Sequence, residues 1–463
     1  MLHNQAKFNY LELKVLFGEA NLINISDEIE ISGITSDSRQ LKPGNAFVAL
    51  IGERFDGHDK TAEAVESGAL AAVVNRSWYE ANSDSQLPLI VVEDTLSALG
   101  VLANHHRRRF SYPLVAIGGS NGKTTTKEIL AHILEEDYSV LKTFQNFNNQ
   151  IGVPLMLLQM TEEHQIAVLE IGTNQPGEIA LLSEMVQPTH GLITNIGKEH
   201  LEKLIDLDGV EFEETFLFGY LHKYGGSAII NNDDERLKKY SMLLDDKLNY
   251  GEEGELSAEI SLDEELRPII KMKYKEESWE ADMISHGLAI AYNGLAAAAA
   301  AVKLGVPLPK IADRLSSYKQ DDSKDYARMT VEKINDISIL NDCYNANPDS
   351  MKMSLRSFEM MNSKGRRIAV IGDMLEMGEA AYQEHVEVLK YANEFCDKIL
   401  LFGETFQKAA EAVESEKIRH YESKERLFDE LIELIMANDV ILVKGSRGIR
   451  LEEIIIKLRE TNV

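Results

Sequence analysis

The sequence predicts an α/β protein with three domains. Its 463 residues correspond to three domains of about 150 residues each. From Leu114 onwards, short apolar runs of strand length alternate with segments of helical apolar spacing. Such alternation favours parallel sheets with crossover helices. Hydrophobic residues form 44% of the chain, which excludes disorder for most of it.

The acidic composition narrows the classes of partner. The net charge is −28, from 76 acidic and 48 basic residues. A chain of that charge is repelled by nucleic acids and by anionic membranes, so we expect neither as a partner. Small anionic ligands are not excluded, because a local cationic pocket can bind them whatever the net charge of the chain.

Cysteine usage and hydropathy favour a cytoplasmic protein. Cys343 and Cys396 are too few for a disulfide scaffold and too far apart for a metal knuckle. Residues 1–21 mix charged with apolar side chains and lack a signal-peptide core. Residues 288–302, the most apolar stretch, are too short to span a bilayer. We expect a monomer without membrane insertion.

The first domain is predicted at residues 1–85. Strand-like runs at 45–51 and 69–75 alternate with turns and predict a small N-terminal α/β domain. Helical apolar spacing at 96–109 predicts a connecting helix, at about 95–110. It ends before Pro113, because the residue before a proline disfavours helix.

The central domain is predicted at residues 86–318. Strands are expected at 114–117, 165–170, 191–194 and 227–231, and helices at 127–136, 177–185 and 289–304. This order predicts a parallel sheet.

The C-terminal domain is predicted at residues 319–463. The chain becomes polar between 307 and 326, which indicates a boundary. Strands expected at 337–341, 367–372, 398–402 and 440–444, with helices between them, predict a Rossmann-like α/β domain.

The strongest motif is a glycine-rich turn between a strand and a helix. Residues 116–126 read Ala-Ile-Gly-Gly-Ser-Asn-Gly-Lys-Thr-Thr-Thr. Glycines let backbone N–H groups converge on phosphate oxygens, and the helix N-terminus adds positive potential. Lys123 would reach the terminal phosphates of ATP, and the Thr124 hydroxyl would bind Mg²⁺. The central domain is therefore predicted to be a P-loop ATPase domain; the alternative is a glycine turn that holds no ligand.

Two features disfavour a GTPase. The turn is one residue shorter than the common spacing when counted from Gly118, and two shorter from Gly119. The chain also lacks an Asn-Lys-x-Asp motif for reading guanine.

A carboxylate is expected beside this turn. Glu170 ends the apolar run 166–170, and the carboxyl ends of parallel strands share one edge of a sheet. Mg²⁺ bound to ATP prefers carboxylate and hydroxyl oxygens. His200 follows the next strand and is a second candidate ligand. The alternatives are a solvated strand end for Glu170 and a structural role for His200.

Several motifs together resemble the Mur ligases, the ATP-dependent amide-forming enzymes of peptidoglycan synthesis. The resemblance covers nearly the whole chain. Besides the glycine turn, its motifs are Gly33-Ile-Thr-Ser-Asp-Ser-Arg39, Pro43-Gly-Asn-Ala-Phe-Val-Ala49, Gly52-Glu-Arg-Phe-Asp-Gly-His58, Asn146-Phe-Asn-Asn-Gln-Ile-Gly-Val-Pro154, Glu170-Ile-Gly-Thr-Asn-Gln-Pro-Gly-Glu-Ile179, Thr194-Asn-Ile-Gly-Lys-Glu-His200, Asn341-Asp-Cys-Tyr-Asn-Ala-Asn-Pro-Asp-Ser350, Gly372-Asp-Met-Leu-Glu-Met-Gly378 and Val443-Lys-Gly-Ser-Arg447.

The resemblance implies site residues in all three domains. The UDP end of a sugar nucleotide would be held by Ser36, Asp37, Ser38, Arg39, Asp56 and His58. ATP would be held by Gly119, Ser120, Asn121, Gly122, Lys123, Thr124, Thr125, Asn293, Arg328, Asp342, Tyr344, Asn345 and Asn347. Other substrate contacts would come from Asn146, Asn148, Asn149, Lys444, Ser446 and Arg447. Magnesium would be bound by Thr124, Glu170 and His200. Loop capping is the alternative for the Asp, Asn and Ser residues.

Two positions depart from the family pattern. The family usually carries a carbamylated lysine that serves magnesium, and Glu214 occupies the corresponding position here. Glu214 would supply the same charge from a shorter arm as a catalytic residue, or it would lie with Glu211 and Glu213 on a solvated acidic face of the helix. The family also commonly shows His-Asn before Asn293, where this chain has Ala289-Ile290.

The resemblance implies an ATP-dependent ligase that forms a C–N bond. The γ-phosphoryl group of ATP would pass to the terminal carboxylate of UDP-N-acetylmuramoyl-tripeptide, and the amine of D-alanyl-D-alanine would displace phosphate from the acyl phosphate. Closure of the third domain would shield that intermediate from water. The alternatives are a ligase with a different acceptor and a non-catalytic nucleotide-binding paralogue.

Overall fold

A computed structural model describes residues 3–320 and 327–461 of the chain. Within these residues, three large sheets organise the molecule, and we call the parts around them the first, central and third domains. In the same part of the chain, every helix is too short or too polar to cross a membrane. The polar run expected at the last boundary lies partly outside the description, at residues 321–326.

The first domain is built on a five-stranded sheet of the described residues, in the order β2-β7-β6-β5-β4. Its elements are β1 Lys7–Asn9, α1 Tyr10–Phe17, β2 Leu22–Ile23, β3 Glu30–Ser32, β4 Ile34–Thr35, β5 Ala46–Val48, α2 Thr61–Glu66, β6 Ala71–Asn75, α3 Arg76–Ala81 and β7 Leu89–Val92. Because β7 lies beyond residue 85 and pairs with β6, we propose that this domain extends to Val92.

The central domain follows the connecting helix α4, which covers Thr95–Arg107 and is capped by Asp94. Its elements are β8 Leu114–Gly118, α5 Lys123–Leu134, β9 Val140–Lys142, α6 Gly152–Leu157, β10 Ile166–Glu170, α7 Glu178–Val186, β11 His190–Ile193, α8 Leu201–Leu204, α9 Leu207–Glu214, α10 Phe216–Tyr224, β12 Ser227–Asn231, α11 Glu235–Lys238, β13 Lys247–Gly251, β14 Leu256–Leu262, β15 Pro268–Tyr274, β16 Glu277–Asp282, α12 Leu288–Lys303 and α13 Leu308–Ser317.

The central sheet brings three strand ends together. Over the described residues its order is β16-β15-β14-β13-β12-β11-β8-β10-β9, parallel from β9 to β14 and antiparallel beyond. All five residues of β8 are buried, as expected for a parallel strand covered on both faces. Strands β10 and β11 flank β8 in parallel, so their carboxyl ends lie side by side. Ligands of open α/β sheets bind at such an edge.

Helix α12 covers this sheet beside α5. Its residues Ala296–Ala301 are buried, and small side chains let the two helices pack closely. The polar stretch from residue 307, within which the boundary between residues 318 and 319 is predicted, begins with α13. This helix buries Leu308, Ile311 and Leu315 in the same core, an amphipathic pattern hidden by its many polar residues.

The third domain has the expected Rossmann-like alternation. Its elements are β17 Thr330–Ile334, β18 Ile337–Asn341, α14 Pro348–Met360, β19 Arg367–Gly372, α15 Ala381–Phe395, β20 Lys398–Phe402, α16 Glu404–Ala412, β21 Ile418–Tyr421, α17 Lys424–Leu434, β22 Val440–Lys444 and α18 Glu452–Thr461. The sheet order is β17-β18-β22-β19-β20-β21, parallel except for β17. The four strands predicted here are confirmed, with the predicted bounds.

Candidate active site

A cavity of about 1020 Å³ lies between the central and third domains. It opens at the edge where β8, β10 and β11 end. The predicted site residues that line it are Ser120, Asn121, Gly122, Lys123, Thr124, Thr125, Asn146, Asn148, Glu170, His200, Asn293, Arg328, Asp342, Tyr344, Asn345, Asn347, Lys444, Ser446 and Arg447. The fold therefore brings together side chains that are up to about 330 positions apart in sequence.

The phosphate loop (residues 118–124) has a backbone that only glycine fits without strain. Gly119 and Gly122 have φ angles of +108° and +86°, in the left-handed region. A Cβ atom at Gly119 would lie 2.7 Å from the amide nitrogen of Thr194, and one at Gly122 would overlap the side chain of Asn293. Gly122 caps α5, so the helix starts at Lys123 and its N-terminus faces the loop.

Lys123 is folded back onto this loop. Its ammonium donates hydrogen bonds to the carbonyl oxygens of Gly119 and Ser120 and lies 3.5 Å from Oε2 of Glu199. Burial alone would lower the pKa of Lys123, but the carboxyl groups of Glu199 and its neighbours outweigh burial and hold that pKa above its usual range. The ammonium therefore stays charged, and phosphate oxygens are better acceptors for it than the loop carbonyls.

Three buried carboxyl groups surround Lys123. Glu170 accepts a hydrogen bond from Asn148 Nδ2 at 2.7 Å through Oε1. In the part of the chain that the structure describes, Oε2 of Glu170, Oε1 of Glu199 and Oε1 of Glu214 are buried without a hydrogen-bond partner. Unpartnered buried oxygens cost free energy, and so many at one place indicate a site for a cation or a donor group.

Glu214 reaches the phosphate loop from α9. Its Oε2 accepts a hydrogen bond from the backbone N–H of Gly119 at 2.6 Å. Burial, reinforced by repulsion from Glu199, raises the pKa of Glu214 to about 8, although Lys123 and the Gly119 N–H act in the opposite direction. In this state of the site, the carboxyl group of Glu214 is mostly protonated at pH 7.

The solvated acidic face considered for α9 is wrong. Glu211, Glu213 and Glu214 are all buried. Glu213 accepts hydrogen bonds from the backbone of Gly177 and Ile179. Glu211 accepts one from Arg236 at 2.8 Å. Each acid has its own partners, and Glu214 is the one of the three that contacts the phosphate loop.

His200 stands at the cavity wall just before α8. Its backbone is left-handed, with φ of +47°, and its Nδ1 lies 2.7 Å from Oε2 of Glu376 in the third domain. Glu199 and Glu376 were not among the predicted site residues, although both lie inside motifs that carried the resemblance. A sequence motif identifies a segment of the site, but only the fold shows which acidic residues of that segment face the cavity.

The third domain contributes a braced loop. The fully buried ammonium of Lys444 lies 2.6 Å from Oδ2 of Asp342 and donates to the carbonyl oxygen of Asn345 at 3.0 Å. Ser446 Oγ donates to the carbonyl oxygen of Ala346 at 3.1 Å. The backbone N–H of Arg447 donates to Asn345 Oδ1 at 3.2 Å. These contacts give Lys444 and Ser446 a bracing role beside the substrate role predicted for them.

Aromatic and amide groups face the same cavity. The guanidinium of Arg328 lies 3.7 Å from the ring centroid of Tyr344. Asn347 Nδ2 donates to Asn121 Oδ1 at 2.9 Å, which joins the third domain to the phosphate loop. On α12, Tyr292 lines the cavity next to Asn293 and is a residue that the sequence prediction missed.

The Ala289-Ile290 departure also lies in the cavity wall. Both residues line it, and Ile290 is buried, so apolar surface stands where the family commonly places polar groups. Asn149 lies apart from the cavity lining. Its Oδ1 accepts hydrogen bonds from the backbone of Ile151 and Gly152, at the start of α6.

The residues predicted for the UDP end lie away from this cavity. Among the described residues, those of the first domain do not line it. Ser36 to Arg39 form a surface turn in which the hydrogen bond from Arg39 lowers the pKa of Asp37 to about 2. The Arg39 side chain is 86% exposed, so its outer face is open to a ligand.

His58 has no ring nitrogen left for a ligand. Its Nδ1 lies 2.6 Å from Oδ1 of Asp56, and its Nε2 accepts the backbone N–H of Asn75 at 3.0 Å. The geometry gives His58 and Asp56 a bracing role in the first domain.

Comparisons with known proteins cover most of the chain. Three family models match: the Mur ligase family, catalytic domain, at residues 30–107; the Mur ligase middle domain at 117–301; and the Mur ligase, glutamate ligase domain at 327–447. Proteins named UDP-N-acetylmuramoyl-tripeptide–D-alanyl-D-alanine ligase are similar to it. The one from Bacillus subtilis is 33% identical over 94% of both chains, and the one from Escherichia coli is 33% identical over 94% of this chain and 95% of its own.

Solved structures agree in fold. MurF from Acinetobacter baumannii superposes with a TM-score of 0.88 at 31% identity, over 98% of this chain and 99% of that one. MurF from Thermotoga maritima, in complex with ADP, gives 0.82 at 28% identity, over 93% and 97%. The resemblance found in the motifs and the predicted three-domain α/β fold are thus confirmed. The chain belongs to the Mur ligase family.

Proposed function

We propose that this chain is an ATP-dependent amide ligase that joins D-alanyl-D-alanine to UDP-N-acetylmuramoyl-tripeptide through an acyl phosphate. One observation carries the proposal: a phosphate loop with a charged lysine faces a cavity between two domains, in a chain that the Bacillus subtilis ligase of that name matches along 94% of its length. We propose the cytoplasm as its compartment, because ATP drives the reaction, and a monomer as its state.

The reaction needs activation because a carboxylate is a poor electrophile. A carboxylate oxygen of the donor would attack the γ-phosphorus, and the bond to the β-phosphate oxygen would break to release ADP. The acceptor amine would then attack the acyl carbon, form the C–N bond and lose a proton, and phosphate would leave. Lys123 would exchange the carbonyl oxygens of Gly119 and Ser120 for phosphate oxygens and neutralise the charge that moves between the two anions.

The base of ATP would lie against the third domain. The stacked pair of Arg328 and Tyr344 offers a flat surface, and Tyr292 and Asn293 line the cavity from α12. The position of Asn293 against Gly122 would then relate the base to the phosphate loop. These contacts support the binding of a nucleotide, and the ADP complex of the MurF from Thermotoga maritima supports an adenine nucleotide.

The cavity residues fit Mg²⁺. Among the described residues, no group of three or more acidic, histidine or cysteine side chains is arranged as a metal cage. Mg²⁺ in nucleotide sites takes one or two carboxylates and completes its shell with phosphate oxygens and waters. The unpartnered Oε2 of Glu170 suits that role, and Thr124 and His200 line the same cavity. When bound, Mg²⁺ would lower the electrostatic cost of bringing the carboxylate to the triphosphate.

A coupled assay of ADP release tests the proposal. Substrate-dependent turnover is expected with UDP-N-acetylmuramoyl-tripeptide and D-alanyl-D-alanine together, and none with either alone. Single amino acids in place of the dipeptide serve as controls, and turnover with one of them would favour a ligase with another acceptor. ATP hydrolysis without either substrate, or no turnover in any arm, would contradict the proposal.

A further inference from the structure

The third domain is hydrogen-bonded to the loop that carries His200. The backbone N–H of Lys198 donates to Oδ2 of Asp349 at 2.7 Å. The backbone N–H of Glu202 donates to the carbonyl oxygen of Glu376 at 3.2 Å. Both Lys198 and Glu202 belong to the central domain, and both acceptors belong to the third. His200 lies between these two anchor points.

Apolar packing accompanies these polar contacts. Leu201 and Leu204 of α8 are buried in one core with Met374 and Met377, which flank Glu376. The approach of the two segments is close: a Cβ atom at Gly378 would lie 3.1 Å from the Cα atom of Glu202. The loop with Glu376 therefore packs closely against α8.

The side chains of His200 and Glu376 complete this contact. Nδ1 of His200 lies 2.7 Å from Oε2 of Glu376. A carboxylate accepts only, so Nδ1 is the nitrogen that donates a proton to Glu376, and in the tautomer that this bond favours the lone pair lies on Nε2. Nε2 lies 4.0 Å from Oε2 of Glu199, and the same oxygen lies 3.5 Å from the ammonium of Lys123. Nε2 is thus directed towards the phosphate loop.

The backbone supports a specific role for the pair. His200 and Glu376 both have left-handed backbones, with φ angles of +47° and +61°. Residues other than glycine adopt this conformation at a cost, and such strain persists where the surrounding structure imposes it, often at functional sites. Two strained residues that meet across a domain interface indicate that the geometry of the pair is selected.

We propose that Glu376 is a positioning residue: on closure of the third domain, its carboxylate fixes the ring of His200 with Nε2 facing the phosphate loop. Because Glu376 and His200 belong to different domains, the ring is held only while the domains are together. The closure of the third domain then also orients the ring of His200 in the ATP site. This inference rests on the proposed function insofar as His200 serves the ATP site.

If Glu376 served stability alone, its removal would lower the unfolding temperature. We expect no such change. The Glu376 side chain is 60% exposed, and polar pairs at exposed positions contribute little to folding. Glu376→Ala and Glu376→Gln variants should therefore unfold at the wild-type temperature. Glu379→Ala is the matched control, since Glu379 is exposed on the same loop and is not part of the proposed site.

Kinetics and nitrogen NMR together test the proposal. For Glu376→Ala we expect kcat to fall about 10- to 100-fold, as for other residues that orient metal-binding histidines, while KM for ATP changes little. Glu376→Gln, which keeps an acceptor oxygen, should retain more activity, and Glu379→Ala should match wild type. In metal-free protein labelled with ¹⁵N-histidine, the wild-type ring of His200, assigned by its loss in His200→Gln, should be protonated at Nδ1. Glu376→Ala should shift that proton towards Nε2.

Each result has one meaning. An unchanged His200 tautomer in Glu376→Ala, with or without a fall in kcat, overturns the positioning role. So does a wild-type kcat in that variant. If the wild-type chain itself fails to ligate, the proposed function fails, while the NMR comparison still decides whether Glu376 sets the ring of His200.

Discussion

Oε2 of Glu214 accepts a hydrogen bond from the backbone N–H of Gly119 at 2.6 Å, so an acid of α9 is seated on the loop proposed to hold a triphosphate. An ionised carboxylate there would repel phosphate. Burial and Glu199 raise the pKa of Glu214 to about 8, so the group is largely neutral at pH 7 and this repulsion is reduced. A bound cation would favour the ionised form instead.

The charge of Lys123 is the first feature to test. Lys123→Ala should lower kcat by about 100- to 1000-fold, the usual cost of losing one preorganised charge donor in the transition state. The fold should persist with some loss of stability, because the side chain lies at the cavity wall but its charge faces the buried carboxyl group of Glu199. ADP release measures the change, and Lys273→Ala, an exposed lysine on β15, is the control. Full turnover in Lys123→Ala would remove the phosphate-binding assignment.

Gly122 and Gly177 form a matched pair for separating backbone strain from site geometry. Both precede helices with similar φ angles, +86° and +91°. Alanine at either position should cost about 1–2 kcal/mol of stability from left-handed strain. A Cβ atom at Gly122 would also overlap Asn293, whereas nothing lies within 4 Å of one at Gly177.

ATP binding should therefore be lost in Gly122→Ala and kept in Gly177→Ala. Calorimetric titration with a nonhydrolysable ATP analogue measures the affinities, and thermal unfolding measures the strain. Equal affinities in the two variants would show that the geometry around Gly122 does not matter for the nucleotide.

The raised pKa of Glu214 makes stability depend on pH in a defined direction. Between the ordinary value of 4.5 and about 8, the folded state holds a proton that the unfolded state releases. The contribution of this group to the free energy of unfolding is therefore unaffected below about pH 4.5, falls as pH rises through this window, and is lowest above about pH 8.

Glu214→Gln removes this titration and keeps the side-chain volume and an acceptor for Gly119. The difference in unfolding free energy, wild type minus variant, should become less favourable to wild type from pH 5 to pH 9. Urea unfolding of both proteins at several pH values checks this. Parallel pH profiles would mean that Glu214 titrates normally.

The buried pair of Lys444 and Asp342 should matter for stability as well as for the site. Lys444→Met would leave Asp342 buried without its cation, and breaking such a pair costs about 3–5 kcal/mol. The double variant Asp342→Asn, Lys444→Met removes both charges and should be more stable than Lys444→Met alone. Urea unfolding provides the values, and an additive loss in the double variant would contradict the coupling.

Much of the fold was predictable because its signals are local. The buried parallel strands β8 and β22 appear as continuous apolar runs, and their bounds follow from the run itself. The antiparallel strands β14, β15 and β16 were missed, since they mix polar and apolar residues on a half-exposed sheet edge.

The residues of the candidate site also fall into those that the sequence predicted and those that it did not. The phosphate loop, Glu170 and His200 could be placed on the cavity from their positions after strands. Glu199 and Glu376 could not, because which acid of a motif faces the cavity depends on contacts between remote segments. His58 shows the converse, since a motif histidine has both nitrogens occupied within its own domain.

By itself the sequence determined which motifs follow strands, the glycine loop that begins α5, and membership of the family, because these depend on neighbours within a few residues. Only the tertiary structure decided the electrostatics of the site. The charges of the site depend on burial and on contacts between separate elements, which bring Glu214, Glu199 and Lys123 together. Likewise, the contact of His200 with Glu376 exists only when two domains pack together.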